Sequence, residues 1–378
     1  MTAPCEISLN QNLPMTAFID TNAIAWTDPM RAQAFSHWLA EQASTHALNP
    51  ASLRLASSDA SFRRYFRIDT TGGDTPSRII MDAPPDKEDC DAFAKVADLM
   101  QACGLNAPRV LAWDKAHGFM LLSDLGAQTM MELIGPPAKV DAIALPTAAA
   151  EAMYAQATDA LVQWQLASKP GILPPYDDAL LSRELALLPD WYVTRHRGIV
   201  LSAAQQTTLD DAFRLIKSSN LHSLDAARVF VHRDFMARNL MVANGQLGVL
   251  DFQDAVYGPI TYDIASLMRD AFLTWEEDFV LDITVRYWQK ARAAGLPVGE
   301  DFGEFYRAVE WMGLQRHIKI LGIFARLTLR DGKPKYLADT PRFIRYVRAT
   351  CARYRQLGPL MVLLDEIEGN KTRVGYTF

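Results

Sequence analysis

The sequence predicts an α+β protein in two lobes: a small N-terminal lobe built on an antiparallel sheet with a helix beside it, and a larger, mainly helical C-terminal lobe. Three observations predict this. Short β-prone runs separated by turn residues crowd into the first 125 residues. Beyond residue 148, apolar side chains recur at helical spacing. Residues 228–254, RVFVHRDFMARNLMVANGQLGVLDFQD, read as strand, tight loop, strand, hairpin turn and strand, with polar residues where the strands end. The expected lobes are 1–125 and 126–378, with a hinge near 122–126, and 378 residues suit two such units.

In chain order, residues 1–27 read as irregular. Asp28-Pro29 opens a helix, with Asp as N-cap and Pro at the first helical position, and Ala34, Phe35, Trp38 and Leu39 share one face. Two strands follow, Leu53–Ser57 and Tyr65–Asp69, joined by SDASFRR, and a Gly72-Gly73 turn leads to a third, Arg78–Ala83. Phe93, Val96, Ala97 and Met100 form the apolar stripe of a helix, and Val110–Trp113 and Phe119–Ser123 are the last strands of the lobe. Residues 135–147 are Pro-rich and read as a loop before a long helix, Ala148–Ala167. Leu181, Leu185 and Leu188 repeat at helical spacing, and Asp190-Trp191-Tyr192 opens another helical segment. Asn244-Gly245 is the preferred pair for a two-residue hairpin turn. Gly258-Pro259 reads as a turn, and the remainder, to about residue 367, reads as helical.

The chemistry sits in the central stretch. Asp234, Asn239 and Asp251 are oxygen donors with a single His, His232, nearby. Mg²⁺ takes oxygen ligands and asks for few from the protein, because it keeps waters and binds phosphate. Asn239 and Asp251 would supply the protein's share, leaving Asp234 to take a proton from a hydroxyl. His232 reads as a packed residue bracing the loop. His232-Arg233-Asp234-x-x-x-x-Asn239 followed by Asp251-Phe252-Gln253 resembles the catalytic segment of kinases, departing at Gln253, where a protein kinase has Gly. With Asp254 close behind, the pattern resembles the aminoglycoside phosphotransferase family, small-molecule kinases on a bilobal protein-kinase-like fold.

That resemblance implies further roles. The loop after the first strand, with Ser58, Ala60 and Ser61, would cover the nucleotide phosphates, and Ser123, Asp124 and Leu125 would form the hinge that meets adenine. The third strand, RIIMDAP, lacks the family's Lys, so Arg67 or Arg64 is expected to supply the missing charge. Glu88 is a candidate partner for an N-lobe arginine, and Asp263 is expected to brace the catalytic loop. The segments ASFRRYFRI, MDAPPDKEDC, LPDWYV and LDFQDAVYGPITYDIASLMRD are similar to one subgroup, the anomeric sugar kinases of bacterial cell-wall recycling. Membership would imply ATP and Mg²⁺ as cofactors and transfer to C1 of N-acetylmuramate and N-acetylglucosamine. An N-acetylmuramate pocket needs a cation for the lactyl carboxylate, and Arg183, Arg195 and Arg269 are candidates, with Trp191 and Trp275 to stack on the sugar. An aminoglycoside would want acids instead, and Glu276, Glu277 and Asp278 are such a cluster. Another hydroxyl acceptor, or a nucleotide-binding protein without catalysis, are the alternatives.

Composition narrows the setting. A formal net charge of −6 gives no bulk attraction to nucleic acid or anionic lipid. Cys5, Cys90, Cys103 and Cys351 show no metal or disulfide spacing. The absence of a leader or spanning apolar run leads to the expectation of a cytoplasmic monomer with small-molecule partners.

Overall fold

The computed structural model describes residues 24–58, 62–72, 75–135, 142–243 and 245–370. Helix α1 (Pro29–Thr45) begins where Asp28 accepts the Met30 N–H at 2.9 Å. Strands β1 (Arg54–Ser58), β2 (Arg64–Asp69) and β3 (Ser77–Asp82), helix α2 (Cys90–Ala102), and strands β4 (Val110–Asp114) and β5 (Phe119–Ser123) complete the N-terminal part. The strands form one antiparallel sheet in the order β1-β2-β3-β5-β4. Gly73 of the expected turn before β3 lies outside the described residues.

Strand alternation divides the side chains between two faces. Phe66, Ile68, Ile80, Phe119 and Leu121 pack on Phe35, Trp38 and Leu39 of α1. Met81, Met120 and Leu122 point the other way and join Phe93, Val96, Ala97 and Met100 of α2 in the main core.

The helical part contains α3 (Met130–Ile134), β6 (Ile143–Ala144), α4 (Ala148–Leu166), α5 (Asp178–Leu187), α6 (Ala203–His222), β7 (Arg228–Val231), β8 (Leu240–Ala243), β9 (Gln246–Val249), β10 (Val256–Pro259), α7 (Thr261–Met268), β11 (Thr274–Trp275), α8 (Glu277–Ala293), α9 (Phe302–Leu329), α10 (Thr340–Arg353) and α11 (Gly358–Glu368). Helix α9 is its axis: residues 308–322 are buried without interruption.

Several expectations need correction. Gly258-Pro259 is no turn but the end of β10, which pairs with β7. A Cβ on Gly258 would come within 2.6 Å of Tyr176 Cβ, so the glycine marks close approach rather than chain reversal. Within the Pro-rich 135–147 stretch, β6 pairs in parallel with β11. Asp190 does not open a new helix, because α5 runs on as a π-helical stretch, Leu188–His196, in which the Arg197 N–H reaches the Tyr192 carbonyl at 2.9 Å. Helix α6 is an addition to the expected elements, although Ser202 and Gln205 form its capping box.

Gly322 shows how tightly α9 packs. A Cβ there would sit 2.3 Å from the Leu187 carbonyl oxygen, a backbone atom that no rotamer change can move. Gly322→Ala is therefore expected to lose about 1–3 kcal/mol, overpacking outweighing the gain in helix propensity. A urea unfolding midpoint equal to the parent's would show that α9 can simply shift.

Candidate active site

The loop that carries His232, Arg233 and Asp234 is held from beneath by a buried carboxylate. Asp263 in α7 accepts the backbone N–H of His232 at 2.7 Å and of Arg233 at 2.9 Å. These bonds hold Arg233 in the left-handed region, φ 78°. Fully buried His232 places Nε2 3.0 Å from the Leu250 carbonyl, while Nδ1 lies 3.2 Å from the Asp234 backbone nitrogen. The pattern fits a neutral imidazole with its proton on Nε2, and burial lowers its pKa accordingly.

Asp234, half-buried, is surrounded by cations. Burial alone would raise its pKa, but Lys319, Arg316 and Arg233 outweigh that and hold it below the ordinary carboxylate value. The cations are themselves anchored. Glu184, almost fully buried, pairs with Arg233 at 2.5 Å and Lys319 at 3.0 Å and accepts from Tyr176 at 2.7 Å and Gln315 at 2.8 Å. Burial pushes Glu184 up, yet Lys319 and Arg233 bring it down to about 2. Arg316 donates to the Arg233 carbonyl.

Asn239 and Asp251 stand beside this loop. Asn239 Nδ2 donates to the Asp234 carbonyl at 2.9 Å and lies 3.4 Å from Asp251 Oδ2, which leaves Asn239 Oδ1 available. Asp251 has φ 63°, and its Oδ1 accepts from Gln253 Nε2 at 2.9 Å. Gln253, where a protein kinase has Gly, thus steadies the carboxylate. Among the described residues no group of three or more His, Cys, Asp or Glu side chains could hold a metal ion. One carboxylate and one amide oxygen fit Mg²⁺, which draws its remaining ligands from water and phosphate. Bound there, the ion would offset charge on the transferred phosphoryl group.

Asn239 and Asp251 line a cleft of about 340 Å³ with Arg67, Ser123, Asp124, Leu125 and Gly126. The cleft therefore runs from the 123–126 segment to Asn239 and Asp251. Phe93 of α2 packs on Phe252, ring centroids 4.9 Å apart, tying α2 to the segment that carries Asp251.

The two expected phosphate arginines differ. Arg67 lines the cleft but is held by Asp124 at 2.6 Å and by the Gly126 carbonyl at 2.6 Å. It braces the segment from Asp124 to Gly126. Arg64 points to the opposite face of the sheet, bonding Asp82 at 2.9 Å and the Ala25 carbonyl at 2.9 Å. One step along a strand reverses a side chain, which puts Arg64 on the face of the sheet away from the cleft. Arg63, which shares the face of Arg67, pairs with Glu88 at 2.9 Å just ahead of α2. Ser58 ends β1 opposite Arg64; Ala60 and Ser61 lie outside the described residues.

The sugar-pocket candidates do not converge. Trp275 is buried, bonds Tyr154 at 2.7 Å and packs on Phe279, so its faces are taken by the core. Arg195 is exposed and stacks over Trp191 at 3.9 Å, on the π-helical stretch, and Arg183 is exposed on α5. None of these lines the cleft. Arg269 is paired with Glu277 at 2.8 Å. Glu277 also bonds Tyr306 and Arg353, so that acid is already neutralised.

A family profile described as "Phosphotransferase enzyme family" matches residues 52–300, the span from the sheet through the catalytic loop to α8. The chain belongs to this family. Among curated proteins, the phosphotransferase is 48% identical over 318 residues to the N-acetylmuramate/N-acetylglucosamine kinase of Pseudomonas aeruginosa, covering 84% of this chain and 89% of that protein. It is 47% identical over 335 residues to the protein of the same name from Neisseria meningitidis, covering 86% and 94%. Among solved structures, it superposes on a choline kinase from Cryptosporidium parvum with a TM-score of 0.59 at 11% identity, covering 87% of this chain and 99% of that one. A Plasmodium vivax ethanolamine kinase gives 0.57 at 10% identity, covering 88% and 91%. The phosphotransferase thus has the bilobal protein-kinase-like fold. Among its described residues, no helix is long and apolar enough to cross a membrane.

Proposed function

We propose that this phosphotransferase moves the γ-phosphate of ATP to the anomeric C1 hydroxyl of N-acetylmuramate and N-acetylglucosamine. The observation that carries the reading is the meeting of Asp234, Asn239 and Asp251 beside an interlobe cleft, in a chain 48% identical to a kinase named for both sugars. Asp234 orients the acceptor hydroxyl and takes its proton as the oxygen attacks. Asn239 and Asp251 hold Mg²⁺ against the phosphates, and Ser123, Asp124 and Leu125 border the adenine. The lobes meet at 122–126, and the enzyme acts as a cytoplasmic monomer in the recycling of cell-wall sugars. The neutralised state of Glu277 disfavours a polycationic acceptor.

An assay of ADP release tests the anomeric assignment. The free sugars are expected to be phosphorylated and their C1-blocked methyl glycosides to be inert. Equal rates on free and blocked sugars would place the transfer at another hydroxyl.

A further inference from the structure

We infer that Arg238 binds a negative charge on the acceptor and so sets the preference for an acidic amino sugar over a neutral one. This rests on the amino-sugar reading above and adds the side chain that discriminates within it.

Arg238 precedes Asn239, lines the cleft and is half-buried. The other arginines around the site have partners: Arg63 has Glu88 at 2.9 Å, Arg67 has Asp124 at 2.6 Å, Arg233 has Glu184 at 2.5 Å and Arg269 has Glu277 at 2.8 Å. Arg238 makes no ion pair and no hydrogen bond among the described residues; its guanidinium lies 4.5 Å over the ring of Phe272. Asp270 attracts it from a longer range, but the two oxygens of that buried carboxylate accept the N–H groups of Ala237 at 3.2 Å and Phe272 at 2.7 Å.

A partly desolvated cation whose counterion is distant and already engaged is costly, and an anionic ligand relieves the cost. The contact with Phe272 leaves the guanidinium's donors, a fork matched to a carboxylate, without a hydrogen-bond partner among the described residues. The position favours the acceptor as the source. Nucleotide occupies the run from the hinge to Asn239 and Asp251. Phe272 belongs to the segment between α7 and β11, in the C-terminal lobe, and does not line the cleft that runs to the sheet. The two sugars share the ring and the acetamido group. Only N-acetylmuramate carries a carboxylate, on its lactyl ether.

The test is the ratio of kcat/KM for N-acetylmuramate to that for N-acetylglucosamine, in the parent enzyme and in Arg238→Gln, with the KM for ATP measured alongside. The ratio is expected to fall about 10- to 100-fold, through the KM of the acidic sugar, as loss of a charge-assisted hydrogen bond predicts. Arg238→Lys, keeping the charge without the fork, is expected to recover part of it. An unchanged ratio in both variants overturns the inference. If both sugars lose equally and the KM for ATP rises, the guanidinium serves the phosphates and the inference falls. A parent enzyme inert on both sugars overturns the amino-sugar reading and this inference together, whereas an active parent with an unchanged ratio in the variants overturns the inference alone.

Discussion

Asp234→Asn is expected to lower kcat by about 10²- to 10⁴-fold, the range for removal of a general base. The substitution keeps size and hydrogen-bonding shape but cannot accept the hydroxyl proton. Nucleotide affinity should stay close to the parent's, because the loop is fixed by Asp263 and His232 rather than by the Asp234 side chain, whereas the melting temperature should fall, since the ionised Asp234 offsets Lys319, Arg316 and Arg233. The pH profile offers a second check. Lys319, Arg316 and Arg233 overcome the burial of Asp234 and keep it ionised below the ordinary carboxylate range. The acid limb of kcat from this residue should therefore lie below that range, and activity should not fall on its account between about pH 8 and about pH 5. Full turnover in the Asn variant would remove Asp234 from the proton transfer.

Glu184→Gln carries the largest expected effect on stability. The carboxylate is the shared counterion of Arg233 and Lys319, and all three are largely removed from water. Its loss leaves two cations facing each other in a low-dielectric pocket. Breaking a buried pair from one side costs about 3–5 kcal/mol, read here as a lower urea midpoint. The sign with pH follows from the depressed pKa. In the folded state Glu184 titrates at about 2, against an ordinary 4.5. Its contribution is fully present above 4.5 and is lost as pH falls toward 2, so the gap between parent and variant should be constant at neutral pH and close across that interval. A gap that persisted unchanged at the acid end would assign the loss to packing. Because Arg233 directly precedes Asp234 in the same loop, part of the activity should go with the fold.

The features legible in the sequence are those with short-range causes. The Asn244-Gly245 pair announces a hairpin, and β8 and β9 do join across it, Ala243 opposite Gln246, with Gly245 at φ +73° and Asn244 outside the described residues. The spacing from His232 to Asn239 and on to Asp251 is likewise readable, since each lies at a strand end. What stays hidden depends on contacts between distant segments. Glu184 reads as one more polar residue on a helix; only the approach of α9 makes it the anion under the catalytic loop. Trp275 suggests a platform for a sugar because nothing local reveals that Tyr154 and Phe279 close over it. Arg64 is a different case, excludable from sequence alone: Phe66 and Ile68 mark the core face of β2, and a residue of the same parity cannot also face the cleft. Arg238 lies inside the catalytic motif, yet no neighbour in sequence singles it out. The fold alone brings Phe272, from beyond α7, against its guanidinium.

The Arg67 bond to Asp124 and Gly126 has a mechanical result. The linker is stapled to the sheet, and Ser77 adds a second stitch to Asp124 at 2.7 Å. The segment from Asp124 to Gly126 and the sheet are thereby bonded into one unit, which ends at Gly126. There φ is +104°, and a Cβ would stand 3.0 Å from that of Ala243. A purine bound there, as proposed above, would meet a ledge already in shape, and docking it would freeze little chain.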